Sequence, residues 1–246
     1  MSAVLDFPVK PEARPYLDAF KGTAGEPEWL AGFRKQGLSR FAELGFPSRR
    51  SESWRYLDLQ PLQKQPLLPA EPETLGTVPL ELPGRGPRLV ILDGRFAPEL
   101  SNLDGLPAGI WFGATHRAIA EREDLSREIA EEVPGDMAHP FAALNAAFFA
   151  DGFILGVRPG AVLQEPIEIV HLATGAPEAS LHTRSLVSLG EGARATILES
   201  YTGNGRYWRN DVLAVRLEEG RQLQVLAERF DGFINGEAGN IRGDLE

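Results

Sequence analysis

Along the N-terminal part of the chain, apolar residues fall at helical spacing in one long stretch. From about Glu28 to Leu44, Trp29, Leu30, Phe33, Leu38, Phe41 and Leu44 recur in that rhythm. Pro27 suits a helix start, while Gly45 and Pro47 suit its end. Residues 1–27 are rich in Pro and Gly and read as irregular. Residues 60–87 carry seven prolines and read as an extended linker or wrapping segment. RLVILDGRF (88–96) alternates towards Asp93-Gly94 and predicts a strand and a hairpin bend. THRAIAEREDLSREIAEEV (115–133) sets Ile119, Leu125, Ile129 and Val133 among charges, which predicts a surface helix. A short helix over 140–149 places Phe141, Leu144 and Phe148 on one face, and Asp151-Gly152 stops it.

Beyond that point the period changes from helical to alternating. FILGVRPGAVLQEPIEIVHL, SLVSLGEGARATILES and LAVRLEEGRQLQVLAERF share one pattern: alternating apolar residues, a turn ending in Gly, then alternation again. The turn glycines are Gly160, Gly192 and Gly220, at steps of 32 and 28 residues. Three copies at such spacing predict a stacked repeat. Two or three strands per coil fit the step and give a parallel β-helix; a β-sandwich of hairpins, closed by the same turns, fits as well.

Composition narrows the function classes. The chain has 246 residues, 43% hydrophobic, a net charge of -10 and no cysteine. That length is ample for a sizeable core. No signal-peptide run opens the chain, and its most apolar stretch (141–157) contains Asn145 and Asp151 and is too short for a bilayer, so a cytoplasmic protein without membrane contact is expected. Without cysteine these residues offer no disulfide, no thiol nucleophile and no thiolate ligand for metal or cluster. The acidic balance argues against nucleic acid as a partner. It is uneven, though: between Arg34 and Arg55 six basic residues (Arg34, Lys35, Arg40, Arg49, Arg50, Arg55) face only Glu43 and Glu52.

Catalytic motifs are missing from the sequence. None of the four lysines precedes Ser or Thr, so there is no P-loop, and no HExxH, GxSxG or EF-hand pattern occurs. His116, His139, His171 and His182 are scattered; His171 and His182 could meet as metal ligands across coils, but partly exposed strand histidines fit the pattern better. Glu165 with Glu168 and Glu218 with Glu219 read as solvated surface. No catalytic or metal site is expected, and the chain reads as a non-enzyme. The remaining candidate is PSRRSESWRYLDL (47–59). Arg49, Arg50, Trp54 and Tyr56 are either a docking surface or two aromatic anchors beside solvated arginines; the second reading is the one expected.

The same stretch resembles the N-terminal signature of the SufD family of SUF-type iron–sulfur assembly proteins. RLVILDGRFAPELSNLDGLPAGI (88–110) and FAALNAAFFADGFILGVRPGAVLQEPIEIVH (141–171) are similar to two further stretches of that family, in the same order, and SLGEGARATILES continues the likeness. The resemblance implies a mainly β protein: a right-handed parallel β-helix, truncated, behind an N-terminal helical and irregular region. Its parts would be residues 1–60 (helical), 61–87 (linker or wrapping), 88–150 (mixed α/β) and 151–246 (incomplete β-helix coils). It implies a non-enzymatic scaffold that pairs with SufB and the ATPase SufC. The cluster is then assembled by the complex, ATP is used by the SufC partner, and no cofactor is bound by this chain. Family members are longer, so an exposed last rung near Leu223–Phe233 is expected, with a homodimer through the exposed coils as one outcome. The rivals are a β-helix enzyme of acyltransferase or lyase type and a stand-alone protein-interaction module.

Overall fold

Helix α2 spans Glu28–Leu44, as its spacing predicts. Its last turn closes on Gly45, whose φ of 69° is in the left-handed region and whose N–H bonds to Phe41 O at 2.8 Å. A computed structural model of the chain describes residues 8–48, 54–56, 58–70, 86–131, 137–175, 178–217, 222–229 and 237–243, the last two stretches by backbone alone. The other helices are α1 (Arg14–Ala19), α3 (Gln60–Lys64), α4 (Thr115–Glu121), α5 (Glu123–Glu131) and α6 (Pro140–Phe148). Thus the proline-rich segment begins as a short helix; its residues 71–85 lie outside the described residues. The single surface helix expected over 115–133 is two, broken where Arg122 leaves helical geometry (φ -136°, ψ 64°).

The strands are β1 (Arg88–Leu92), β2 (Arg95–Phe96), β3 (Ile110–Ala114), β4 (Phe153–Val157), β5 (Ile167–Ala173), β6 (Ala179–Leu189), β7 (Arg194–Gly203), β8 (Tyr207–Leu217), β9 (Gln222–Arg229) and β10 (Glu237–Gly243). Asp93 and Gly94, at φ 47° and 81°, make the hairpin between β1 and β2. The first sheet has the order β2-β1-β5-β7-β9 and the second β10-β8-β6-β4-β3. Pairing is antiparallel for β1 with β2 and β3 with β4, and parallel elsewhere. From β4 onward successive strands alternate between the sheets. Parallel partners are therefore about thirty residues apart: Ile154 opposes Leu186, Ile167 opposes Ile197, and Arg194 opposes Gln222. The stride read from the turn glycines is this register, and the turns stack too, with Gly160 N–H on Glu191 O at 2.7 Å.

The fold class nonetheless differs from the expected truncated parallel β-helix. No β-helix closes among the described residues; two mixed sheets with helices packed on them make an α/β arrangement. The physical reason lies in β4 and β6, which are buried along nearly their whole length on both faces. A strand apolar on two faces needs a layer on each. One face meets the other sheet: Leu89, Ile91, Ile167, Ile169 and Ile197 pack with Phe112, Phe153, Leu155, Val187 and Leu189. The other face is covered by α4 and α5 through Ala118, Ile129, Ile154 and Leu186. The helices are thus a third layer packed on the second sheet.

That layer has its own aromatic core. Tyr16, Phe41, Phe46, Phe141 and Trp208 interlock edge-on or tilted, with Phe141 and Trp208 centroids 4.9 Å apart. Each fully buried Phe contributes about 2 to 3 kcal/mol of transfer free energy before the entropy of ordering it. Helices α2 and α6 cross at Gly37, where a side-chain carbon would meet Ala143 O at 2.6 Å. Asn145 of α6 is fully buried and donates to Thr183 O and Asn210 O, both at 2.7 Å, which ties the helix to β6 and β8.

Candidate functional site

Strand alternation puts polar residues between the two sheets. Ile167, Ile169 and His171 share one face of β5, and Ile197, Glu199 and Tyr201 share one face of β7, so each face turns from apolar to polar along the strand. His171 Nε2 lies 2.7 Å from Glu199 Oε1, and the His171 ring stacks on Tyr201 at 4.5 Å and 4°. From the opposite sheet Arg209 reaches over the Tyr201 ring at 4.9 Å, with its Nη1 3.8 Å from Asp211 Oδ2. Thr183 Oγ1 donates to Asp211 Oδ1 at 2.5 Å. Burial raises the Glu199 carboxyl, but the hydrogen bonds and charges of His171, Tyr201 and Arg209 together hold the group below its ordinary value. Burial, then the charges of Asp211 and Glu199, push the Tyr201 hydroxyl well above its ordinary range. Each acid in this layer already faces a cation or a donor. His171 Nδ1 and Arg209 Nε are buried without a hydrogen-bond partner among the described residues. This is an ionic network holding register inside the sandwich.

A second polar feature opens where the helical layer meets β6. It is a cleft of about 710 Å³ lined by Phe20, Lys21, Arg34, Arg95, Phe148 and Ser180, among others. Helix α6 leaves its last carbonyls without intrahelical partners; Arg34 Nη1 donates to two of them, Ala147 O at 3.2 Å and Phe149 O at 3.0 Å. Its Nε binds Glu26 Oε1 at 2.7 Å, and its guanidinium lies 4.2 Å from the Phe149 ring centre. Burial lowers the Arg34 pKa, partly offset by Glu26, with Arg95 adding to the lowering. His182 closes the floor: Nε2 is 2.9 Å from Ser180 Oγ and Nδ1 is 3.2 Å from Asn210 Nδ2. Burial takes its pKa down to about 3, so the ring is neutral and Nδ1 accepts from the Asn210 amide.

The residues singled out from sequence land in different places. Trp54 is half-buried, donates from Nε1 to His139 Nε2 at 2.9 Å and meets the Phe141 ring edge-on. Tyr56 is 87% exposed, with Arg55 against its ring at 4.6 Å. Arg49 and Arg50 lie outside the described residues. The histidines do not converge. His171 sits between the sheets, His182 on the helical side of the second sheet, and His139 beside Trp54. His116 Nδ1 binds Asp151 Oδ2 at 2.7 Å, and that hydrogen bond raises its pKa. Among the described residues no group of three or more His, Asp or Glu could hold a metal ion, and no helix is long and apolar enough to cross a membrane. Glu168 pairs with Arg88 and Glu165 is exposed; Glu218 and Glu219 lie outside the described residues. Sequence reasoning missed Glu199, Tyr201, Arg209 and Asp211. Their signal was charge at inward parity in alternating strands. Nothing local marked Lys21, Arg34 and Arg95 as neighbours.

No family model matches the chain. Over 222 residues, 84% of its length, it is 30% identical to the iron–sulfur cluster assembly SufBD family protein slr0076 of Synechocystis sp. PCC 6803. The likeness is to a SufBD family protein. It is also 24% identical over 225 residues to the iron–sulfur cluster assembly protein SufD of Escherichia coli K12. The chain spans about half the length of both relatives, 49% in each case. The stretches that carry the resemblance have structural work here. In 47–59 it is the Trp54 bond to His139; in 88–110 it is the Asp93-Gly94 hairpin. In 141–171 Asn145 fastens α6 across two strands.

Proposed function

We propose that this chain is a non-enzymatic scaffold component of SUF-type iron–sulfur cluster assembly, working in the cytoplasm with SufB-like and SufC-like partners. The observation that carries this reading is the 222-residue likeness to a SufBD family assembly protein. In this scheme ATP is used by the SufC-like partner, the cluster is the cargo of the complex, and this chain binds no cofactor of its own. With no cysteine, these 246 residues supply no thiolate to a nascent cluster. The acid and base groups of the inter-sheet layer are engaged with one another, which suits a rigid framework better than proton transfer to a substrate. Docking would use the sheet ends: β9 and β10 each have a strand on one side only among the described residues, leaving backbone groups that a partner strand can pair.

Co-expression of the 246-residue chain with SufB-like and SufC-like proteins of the same source, followed by affinity capture and size-exclusion chromatography, tests the reading. A stoichiometric complex that accumulates an iron–sulfur chromophore is the expected result. Failure to retain either partner at micromolar concentrations overturns it.

A further inference from the structure

The second sheet has a hollow of its own at the β3 edge, the edge opposite β10 on which the scaffold reading draws. Trp111 of β3 stands opposite Gly156 of β4, and Gly156 stands opposite Ser188 of β6. One alternation earlier on the same strand faces, Ile154 and Leu186 are covered by the helical layer. At Gly156 and Ser188 the side chains are too small to fill that face, and a cavity of about 280 Å³ opens. Its walls are apolar: Trp111, Leu125 and Val157 line it. Both large side chains are held in place. A carbon added at Gly113 would lie 3.0 Å from Trp111 Cη2, and one added at Gly156 would lie 2.9 Å from Leu125 Cδ1.

Two guanidiniums, Arg122 and Arg158, belong to the described lining, which includes no carboxylate. Arg122 is engaged: it donates to both oxygens of Asp124, at 2.9 and 2.6 Å, and lies 5.9 Å from the Trp111 ring centre. Arg158 is exposed, and its guanidinium makes no ion pair or hydrogen bond among the described residues. Its stem runs along Gly109, where an added carbon would lie 3.6 Å from Arg158 Cβ and 3.9 Å from its Cδ. We infer that this hollow binds a small monocarboxylate with a flat apolar body, the carboxylate on Arg158 and the body against Trp111 and Leu125. A guanidinium fork matches the two oxygens of a carboxylate, and one unengaged cation calls for a single negative charge. The volume is close to the lower end for ligand pockets, which leaves room for one ring and excludes a nucleotide.

Two-dimensional NMR of the full chain, following the Trp111 indole N–H, tests this by titration with phenylacetate, phenylacetamide and acetate. Phenylacetate is expected to shift that signal saturably and to bind at least about fivefold more tightly than either the neutral amide or acetate. Arg158→Gln is expected to abolish the preference over the amide, and Arg158→Lys to keep part of it. Because Arg158 is exposed, neither substitution is expected to move the midpoint of thermal unfolding. The inference is overturned if millimolar phenylacetate leaves the Trp111 signal in place, or if the amide or acetate binds as tightly as phenylacetate. It is equally overturned if Arg158→Gln leaves the affinities unchanged. The titration uses the chain alone, so its failure leaves capture of SufB-like and SufC-like partners untouched.

Discussion

Trp54 and Tyr56 are two residues apart and have opposite fates. Trp54→Ala removes the hydrogen bond to His139 and the contact with Phe141. For a half-buried Trp this is worth about 2 kcal/mol, and the midpoint of thermal unfolding by circular dichroism is expected to fall by about 3 to 6 °C. Tyr56→Ala, at an 87% exposed position, is expected to leave it unchanged. The sequence showed two aromatics but not which would turn inward, because that depends on His139 and Phe141, more than eighty residues away. Two histidines set the pH response with opposite signs. His182, neutral in the fold with a pKa down at about 3, opposes folding once an unfolded chain would protonate it. Stability is therefore lost as pH falls below about 6.5, by up to about 1.4 kcal/mol per pH unit. His116, raised by Asp151, stabilises below its unfolded value, and that contribution disappears as pH rises through the folded pKa above 6.5. Proton NMR titration is expected to show the His182 ring unchanged down to pH 4, and the loss of stability above neutral pH is expected to vanish in His116→Asn.

At the scale of elements, helix α2 offers an internal comparison. Gly37 is where α6 crosses, and an added methyl group would strike the Ala143 carbonyl. Gly32, on the same helix, faces open space. Gly37→Ala is expected to destabilise by about 1 to 3 kcal/mol, through displacement of α6. Gly32→Ala is expected to stabilise by up to about 1 kcal/mol through helix propensity alone. Urea denaturation of both variants checks the pair, and equal effects would contradict the crossing. Helix α2 was legible from sequence because its apolar spacing and stop signals agree. The break between α4 and α5 was not, since both share one apolar rhythm and only the loss of helical geometry at Arg122 separates them.

For the whole molecule, the stride of about thirty residues was legible, while the layering was not. Period-2 patterns report that a strand alternates, but the near-continuous burial of β6 needs a partner on each face, and the helices that provide it lie outside the repeats. The inter-sheet layer shows the same limit: Glu199 and Arg209 were not singled out from sequence, because only the pairing of the two sheets brings both to Tyr201. Glu199→Ala leaves His171 without its acceptor and is expected to cost about 2 to 4 kcal/mol, measured as a shift of the urea midpoint. Glu199→Gln, which can still accept, is expected to cost less. Since the Glu199 carboxyl is held low, its contribution is present above pH 4.5 and fades as pH drops through the folded value.

The parallel register has a consequence for how such a chain can change length. A residue inserted in the exposed turn at Gly190–Gly192 lies between strands and shifts no parity. A single residue inserted before Glu199 within β7 would exchange that strand's two sides, putting its carboxylate outside and misplacing every position downstream against β5 and β9. Insertions and deletions accepted over evolutionary time should therefore cluster at the corners, and a scan placing single added alanines along 186–203 should show tolerance near 191 and collapse of soluble expression near 198.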